Sequence, residues 1–374
     1  MILIVYPKLY GVDGIARYLR SFCEAVGDKK SVVVIAGGPN AGEHIIAGVR
    51  VIVLPMAANR LGLVQWSFRL RKFLPSFCKQ NHVSAVNFHI PPLIPGLLLP
   101  KVPRLVVTVH TTYLGMSGQF YKDRQFKSQW NGASVWIKKA FERIIFHKSD
   151  AVIVLTDQGR QEVKKYRYGK KIIIVPNGAS TSSFAPDYET EKTYDVLFAG
   201  RIERRKGSRP MVDVCKLLVE LKPDIRICIV GYGDDFEYVS ASLGPLAKNV
   251  VLTGKILFED IIEIYRRSRI YASTSYYEGL PGTCLEAMAV GLPAVVWNYP
   301  FYHELVVSGV NGYLVDINDI KRFAAVLVST LADSALMDAL GRAANKKIKD
   351  EYDWPVIAKR LVDELDSVSR EFSP

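Results

Sequence analysis

Apolar residues fall along this chain in two alternating patterns. Short runs rich in Val and Ile recur, and between them lie longer stretches with apolar positions three and four apart. The first half carries runs at 2–7, 31–37, 49–55, 85–89, 104–110, 150–156 and 171–176; the second at 195–200, 225–231, 249–254, 270–274, 293–297 and 312–316. Near-continuous β-branched runs predict strands buried on both faces, as in parallel sheets covered by helices. Ile15, Ala16, Leu19, Phe22, Cys23 and Val26 share one helical face, as do the apolar positions of 209–222. Alternating strands and helices predict an α/β doubly wound architecture. The pattern restarts near residue 195, after the polar stretch GASTSSFAPDYETEKTYD (178–195), which reads as an interdomain linker. Two Rossmann-like parallel-sheet domains facing a central cleft are expected, with ligand at the carboxyl ends of the strands.

Length and composition agree: 374 residues, 49% hydrophobic, suffice for two cores. Met1 leads into MILIVYP without a basic n-region, so no secretory leader is expected. Leu93 to His110 is the most apolar region, but Pro95, Pro100, Pro103, Lys101 and Arg104 interrupt it; a loop and a buried strand are expected, not a membrane span. Five dispersed cysteines (23, 78, 215, 228 and 284) fit reduced, buried thiols in a cytoplasm.

Charge is unevenly placed. Residues 1–180 hold 26 Lys and Arg against nine Asp and Glu, an excess of 17; the remainder holds 23 against 28. Such asymmetry points to an anionic partner surface. Residues 121–148 concentrate it, with seven Lys and Arg, two acids, and Trp130, Trp136, Phe141 and Phe146 interleaved. That mixture suits a membrane interface, and it equally suits a domain helix turning its aromatics inward. No nucleic-acid recognition motif is present.

Candidate chemistry sits at predicted strand ends. Gly11 and Gly14 flank the first strand-to-helix turn, with Asp13 between them. His110 ends a buried strand. After the strand at 195–200 come Arg201, Arg204, Arg205 and Lys206, cations suited to a diphosphate, with Arg204 and Arg205 read as its surface members. In EGLPGTCLEAMAVGLP, Glu278 and Glu286 are separated by seven residues, and Gly282 and Thr283 open a short helix ended by Gly291 and Pro293. Thr283-x-x-Glu286 also reads as a capping box.

Taken in order, these segments resemble the retaining glycosyltransferases of family 4, of GT-B fold. VPNGASTSSFAP, FAGRIERRKG, IVGYGDD, VLTGKI, EGLPGTCLEAMAVGLPAVV and HELVVSGVNGYLV carry the likeness over nearly the whole chain. The resemblance implies transfer of a sugar from a nucleotide diphosphate, preferably a UDP-hexose or UDP-N-acetylhexosamine, to a glycan or polyprenyl-diphosphate-linked acceptor. It implies that Glu286 takes the donor ribose, Glu278 the donor sugar, and Arg201 and Lys206 the diphosphate. Gly231, Gly279, Leu280, Pro281, and the amides of Gly282 and Thr283 would line the donor. Gly14 would approach it from the other domain, and His110 would lie beside the reacting carbon. Asn177-Gly178 would act as a hinge. No DxD triad occurs, so no metal and no other cofactor is expected. By the same likeness residues 1–180 form the acceptor domain and 181–354 the donor domain, and the helix at 355–374 crosses back to the first. The basic first half suggests a peripheral position on the inner face of the cytoplasmic membrane.

Three features depart from the family pattern: Ser180 stands where Asp is usual, Asp13 lies inside the first loop, and WNYPFYHE (297–304) replaces a Gly-containing loop. GDP-mannose is the second donor choice. A non-catalytic nucleotide-sugar-binding protein is the alternative from another class. A dinucleotide-dependent oxidoreductase would need GxGxxG, which the first loop lacks.

Overall fold

The computed structural model describes residues 1–11, 13–27, 31–118 and 133–371. The chain forms two compact units, one reaching Asn177 and resuming at Trp354, the other spanning Gly178–Asp353.

The first unit is built on β1 (Ile2–Val5), β2 (Val32–Gly38), β3 (Gly42–Ile46), β4 (Val49–Pro55), β5 (Ala85–Ile90), β6 (Leu105–Val109), β7 (Ala151–Val154) and β8 (Lys171–Ile174). Its helices are α1 (Gly14–Val26), α2 (Arg60–Gln80), α3 (Leu93–Leu98), α4 (Tyr113–Met116), α5 (Ala133–Lys148) and α6 (Asp157–Lys164). The strand order is β3-β4-β2-β1-β5-β6-β7-β8. Every pairing is parallel except β3 with β4. The antiparallel β3 is not among the expected strands. Its residues GEHII are mostly exposed on the sheet edge, so no buried apolar run marks it. Leu93 to His110 likewise holds more than a loop and a strand, because α3 occupies its start.

Asp13 caps α1. Its carboxylate accepts from the amides of Ile15 and Ala16 at 3.1 and 2.9 Å and from the Tyr6 hydroxyl at 2.9 Å. One face of the sheet is covered by α1 and by α14 (Trp354–Arg370), whose Trp354, Ile357, Leu361 and Leu365 share a core with Ile2, Ile4, Leu19 and Phe22. The other face is covered by α2, α3 and α5 through Trp66, Leu70, Leu93, Ile145 and Phe146.

The second unit carries β9 (Tyr194–Ala199), β10 (Ile227–Val230), β11 (Val250–Leu252), β12 (Ser268–Ser273), β13 (Ala294–Trp297) and β14 (Gly312–Val315). Its helices are α7 (Ser208–Leu221), α8 (Phe236–Leu243), α9 (Phe258–Arg266), α10 (Gly282–Ala289), α11 (Pro300–His303), α12 (Ile320–Ala332) and α13 (Ser334–Lys347). The order is β11-β10-β9-β12-β13-β14, parallel throughout. The order reverses between β9 and β12, and a doubly wound sheet opens its ligand crevice at such a point. The stretch read as a linker is partly packed: Phe184 is buried, its ring 5.8 Å edge-on from Tyr265. All five cysteines are buried and free. No single helix among the described residues is long and apolar enough to cross a membrane.

Candidate active site

The loops after β9 and β12 converge at the reversal point of the second sheet. β9 ends at Ala199 and β10 at Val230, each followed by a glycine. A Cβ on Gly231 would stand 1.8 Å from the Gly200 carbonyl oxygen, so the two strand ends meet through bare backbone. Arg204–Lys206 then form a 3-10 turn closed by Gly207 at φ +69°. A Cβ there would lie 1.8 Å from the Thr274 carbonyl oxygen. That contact brings Lys206 alongside the end of β12.

The Lys206 ammonium donates to Glu278 Oε1, and both groups are largely buried. Ser275 Oγ donates to the same carboxylate oxygen at 3.1 Å, and hydroxyls continue the chain through Ser273 to Tyr302. Burial alone would push Glu278 up, but the Lys206 and Arg205 cations, with the Lys206 and Ser275 hydrogen bonds, outweigh it and hold the carboxylate below its usual range. Burial lowers Lys206, against the opposing pull of Glu278.

Arg205 is not a surface residue. Only 15% of its side chain is exposed, whereas Arg204 is 55% exposed. Arg205 Nη1 donates to the Tyr277 carbonyl at 2.8 Å and lies 3.9 Å from Glu278, and Nη2 donates to Glu203 at 2.5 Å. The Tyr276 amide returns a bond to the Arg205 carbonyl at 3.0 Å. Arg205 therefore ties the loop after β9 to the loop after β12. Arg201 stands further out, 69% exposed and 3.4 Å from Glu203. The turn GDD leads into α8, and its Asp235 accepts from the Ser208 hydroxyl at 2.5 Å.

The capping box is absent. Pro281 is the N-cap of α10, which puts Thr283 at the second helical position and Glu286 a full turn beyond it. Glu286 Oε2 instead accepts from Tyr265 OH at 3.0 Å, and that hydroxyl also lies 3.2 Å from the Thr283 carbonyl. Thr283 Oγ1 pairs with Tyr271 OH at 2.9 Å. Gly279, Leu280 and Pro281 lead from Glu278 into the helix, with Leu280 buried. The amides of Gly282 and Thr283 head α10, where no intrahelical carbonyl reaches them. Tyr265, Tyr271 and Ser275 were missed by the sequence reading, and Arg205 was read as a surface member of its cluster. The hydroxyl run Ser273-Thr274-Ser275 ahead of Glu278 was the available signal.

In the first unit, Gly14 opens α1, and a Cβ on it would meet nothing within 4 Å. His110 follows β6 directly. Its Nε2 is 2.9 Å from Nδ1 of His89, at the end of β5. The Tyr18 ring stands edge-on to His110 at 4.9 Å. Burial drives His110 down to about 3 and lowers His89 well below its usual value, so both rings are neutral. Beyond His110, Glu142 accepts from the Tyr113 amide and the Tyr166 hydroxyl, and burial pushes its carboxyl up to about 8. Among the described residues, no three His, Cys, Asp or Glu side chains gather as metal ligands do.

Family models match both units: "Glycosyltransferase Family 4" over residues 12–183 and "Glycosyl transferases group 1" over 181–347. An uncharacterised glycosyltransferase of Methanocaldococcus jannaschii is 27% identical over 238 residues, 60% of each chain. The UDP-Gal:alpha-D-GlcNAc-diphosphoundecaprenol alpha-1,3-galactosyltransferase of Escherichia coli is 24% identical over 337 residues, 85% of this chain and 83% of that one. Sucrose-phosphate synthase of Thermosynechococcus elongatus superposes with a TM-score of 0.80 over 98% of both chains at 18% identity, a likeness of fold. With adjoining family models covering both units, the chain belongs to the family 4, group 1 glycosyltransferases.

Proposed function

We propose that this chain is a retaining transferase that moves a hexose or N-acetylhexosamine from a UDP-sugar to a polyprenyl-diphosphate-linked glycan. The reaction would serve cell-surface polysaccharide or lipopolysaccharide synthesis at the inner face of the cytoplasmic membrane. The observation that carries this reading is the buried Lys206–Glu278 pair at the switch point of the second sheet, on the loop that leads into α10. The E. coli relative, whose name specifies UDP-Gal and a diphosphoundecaprenol acceptor, supports the choice of donor and acceptor.

The chemistry asks for what this loop pair supplies. Breaking the bond between the anomeric carbon and the diphosphate leaves an oxocarbenium-like sugar and concentrates negative charge on the leaving group. Lys206, Arg201 and the amides of Gly282 and Thr283 oppose that growing charge. Glu278, kept ionised by Lys206 and Arg205, accepts hydroxyls of the donor sugar. Glu286, anchored by Tyr265, accepts the ribose hydroxyls. Gly231 and the Gly279–Pro281 segment give the donor a close-fitting floor. In the first unit, burial keeps His110 a neutral ring. The acceptor hydroxyl attacks on the face the diphosphate leaves and passes its proton to the departing phosphate oxygen, which preserves the anomeric configuration, and no metal takes part.

A panel of UDP-sugars and GDP-mannose in a thermal-shift assay, followed by turnover with a polyprenyl-diphosphate glycan in EDTA, tests the reading. A UDP-sugar should raise the melting temperature, since a ligand of the folded state alone stabilises it. The product should carry the donor's anomeric configuration by NMR. Stabilisation by GDP-mannose alone, an inverted product, or turnover abolished by EDTA would overturn the corresponding part.

A further inference from the structure

Among the helices that cover the first unit's sheet, the basic excess lies on one side. α2, α3 and α5 pack together over one face. Between them they carry nine Lys and Arg, and their one carboxylate, Glu142, is fully buried. The helices on the opposite face, α1 and α14, are nearly balanced, with five Lys and Arg against four Asp and Glu. The described outer surface of the α2–α3–α5 layer therefore presents no helical carboxylate at all.

That surface also exposes large apolar groups. On α2 the buried stripe Trp66, Leu70, Leu74 and Phe77 faces the sheet, and Leu61 and Phe68 point away, 66% and 55% exposed. On α5, Val135, Ile145 and Phe146 face inward, while Trp136 is 72% exposed and Ile137 and Ile144 nearly half. Arg69, Arg71 and Lys72 follow Phe68 directly, and Arg143 precedes Ile144. Trp130 and residues 121–132 of the basic aromatic segment lie outside the described residues; the part from 133 onward forms α5.

A protein groove would recognise a peptide, and a nucleic acid would need stacking platforms. Here aromatic and aliphatic side chains stand on the convex backs of helices among lysines and arginines. That is the chemistry of an interfacial surface: apolar groups enter the acyl boundary while cations meet anionic headgroups. We propose that the α2–α3–α5 face docks on an anionic lipid bilayer, with Phe68 and Trp136 as its inserted anchors. This deepens the lipid-linked-acceptor reading and rests on it only for the purpose of docking, since the surface stands apart from the donor loops in sequence and in unit.

The full chain is mixed with vesicles of phosphatidylcholine alone or with about one-third phosphatidylglycerol, at low and high salt, and sedimented. Binding should require the anionic lipid and weaken with salt. Each cation near such a surface contributes about 1 kcal/mol, so Lys72→Gln with Arg143→Gln should weaken binding by roughly 30-fold. Phe68→Ser with Trp136→Ser should reduce it further at high salt, where insertion dominates. Brominated acyl chains should quench fluorescence in the parent and less in Trp136→Phe. Lys359→Gln with Arg360→Gln, on the opposite face, should leave binding unchanged. Absence of binding at low salt, equal loss from the opposite-face variant, or an RNA that binds tighter and displaces the vesicles would overturn the proposal. Donor stabilisation by UDP-sugars is read in the same variants. If it persists while vesicle binding is absent, docking fails and the transferase reading stands; the converse result separates them the other way.

Discussion

Lys206 and Glu278 permit a test that separates folding from chemistry. Lys206→Met removes the cation that touches the carboxylate and leaves Arg205 Nη1 3.9 Å away. Breaking a buried pair from one side typically costs about 3–5 kcal/mol. Arg205 and the Ser275 hydroxyl still face Glu278, and a fifth of Lys206 is exposed, so a loss of about 2–3 kcal/mol is expected. Glu278→Gln should cost a similar amount, because a neutral amide cannot answer the buried ammonium. The double variant Lys206→Met/Glu278→Gln removes both charges together. Its loss should be no greater than either single loss, giving a coupling of about 2 kcal/mol. Hydrogen exchange of β9 and β12 amides in the full chain reports this directly: roughly 30- to 160-fold loss of protection in each single variant and no further loss in the double. Turnover should behave differently. All three variants should fall by more than about 100-fold, because none keeps both the cation proposed for the diphosphate and the carboxylate proposed for the donor sugar. Single losses that simply add in the double variant would refute the buried-pair argument. Full turnover in Lys206→Met would refute the catalytic one.

Three further outcomes follow from the geometry. Gly207→Ala forces a left-handed backbone on a side chain whose Cβ meets the Thr274 carbonyl at 1.8 Å, so donor-induced stabilisation should vanish; an unchanged thermal shift with UDP would contradict the close approach. Glu286→Gln keeps a partner for Tyr265 but loses the anionic acceptor, which should weaken UDP roughly 10- to 100-fold by calorimetry at unaltered melting temperature; intact affinity would remove the ribose role. Stability of the first unit should peak near pH 6.5. Below about 6.5 the unfolded chain binds protons that buried His89 and His110 refuse, while above about 4.3 the unfolded chain releases the proton that folded Glu142 retains up to about 8. The histidines thus lower stability toward acid, Glu142 lowers it toward alkali, and Glu142→Gln should abolish the alkaline decline in hydrogen exchange of β5–β7.

The sheets were legible because most core strands are short buried apolar runs, many of them β-branched; the strand order is known only from the structure. The edge strand β3 was not, since its ladder is made by backbone and its side chains face solvent. Glu278, Glu286 and Lys206 could be read from spacing and company. Arg205 could not: beside Arg204 in sequence it looks equally solvated, and only the Tyr277 carbonyl and the Glu203 carboxylate turn it inward. Thr283-x-x-Glu286 misled for a related reason. A capping box depends on which residue caps the helix, and the N-cap of α10 is Pro281, two residues before Thr283. His89 gave no signal because its partner lies 21 residues away on the neighbouring strand.

The position of α14 has a consequence for how the chain comes off the ribosome. The second unit is contiguous in its described residues and can close its core as soon as it emerges. The first unit cannot: Ile357, Leu361 and Leu365 fill the same core as Ile2 and Phe22. At about 5–20 residues per second, the first unit's chain up to Asn177 waits roughly 10–35 s for that helix while the intervening unit is made. Throughout that interval the part of the sheet face that α14 covers stays open beside α1. A stop before Trp354 would make the exposure permanent, leaving a finished second unit attached to a first unit with an open apolar face.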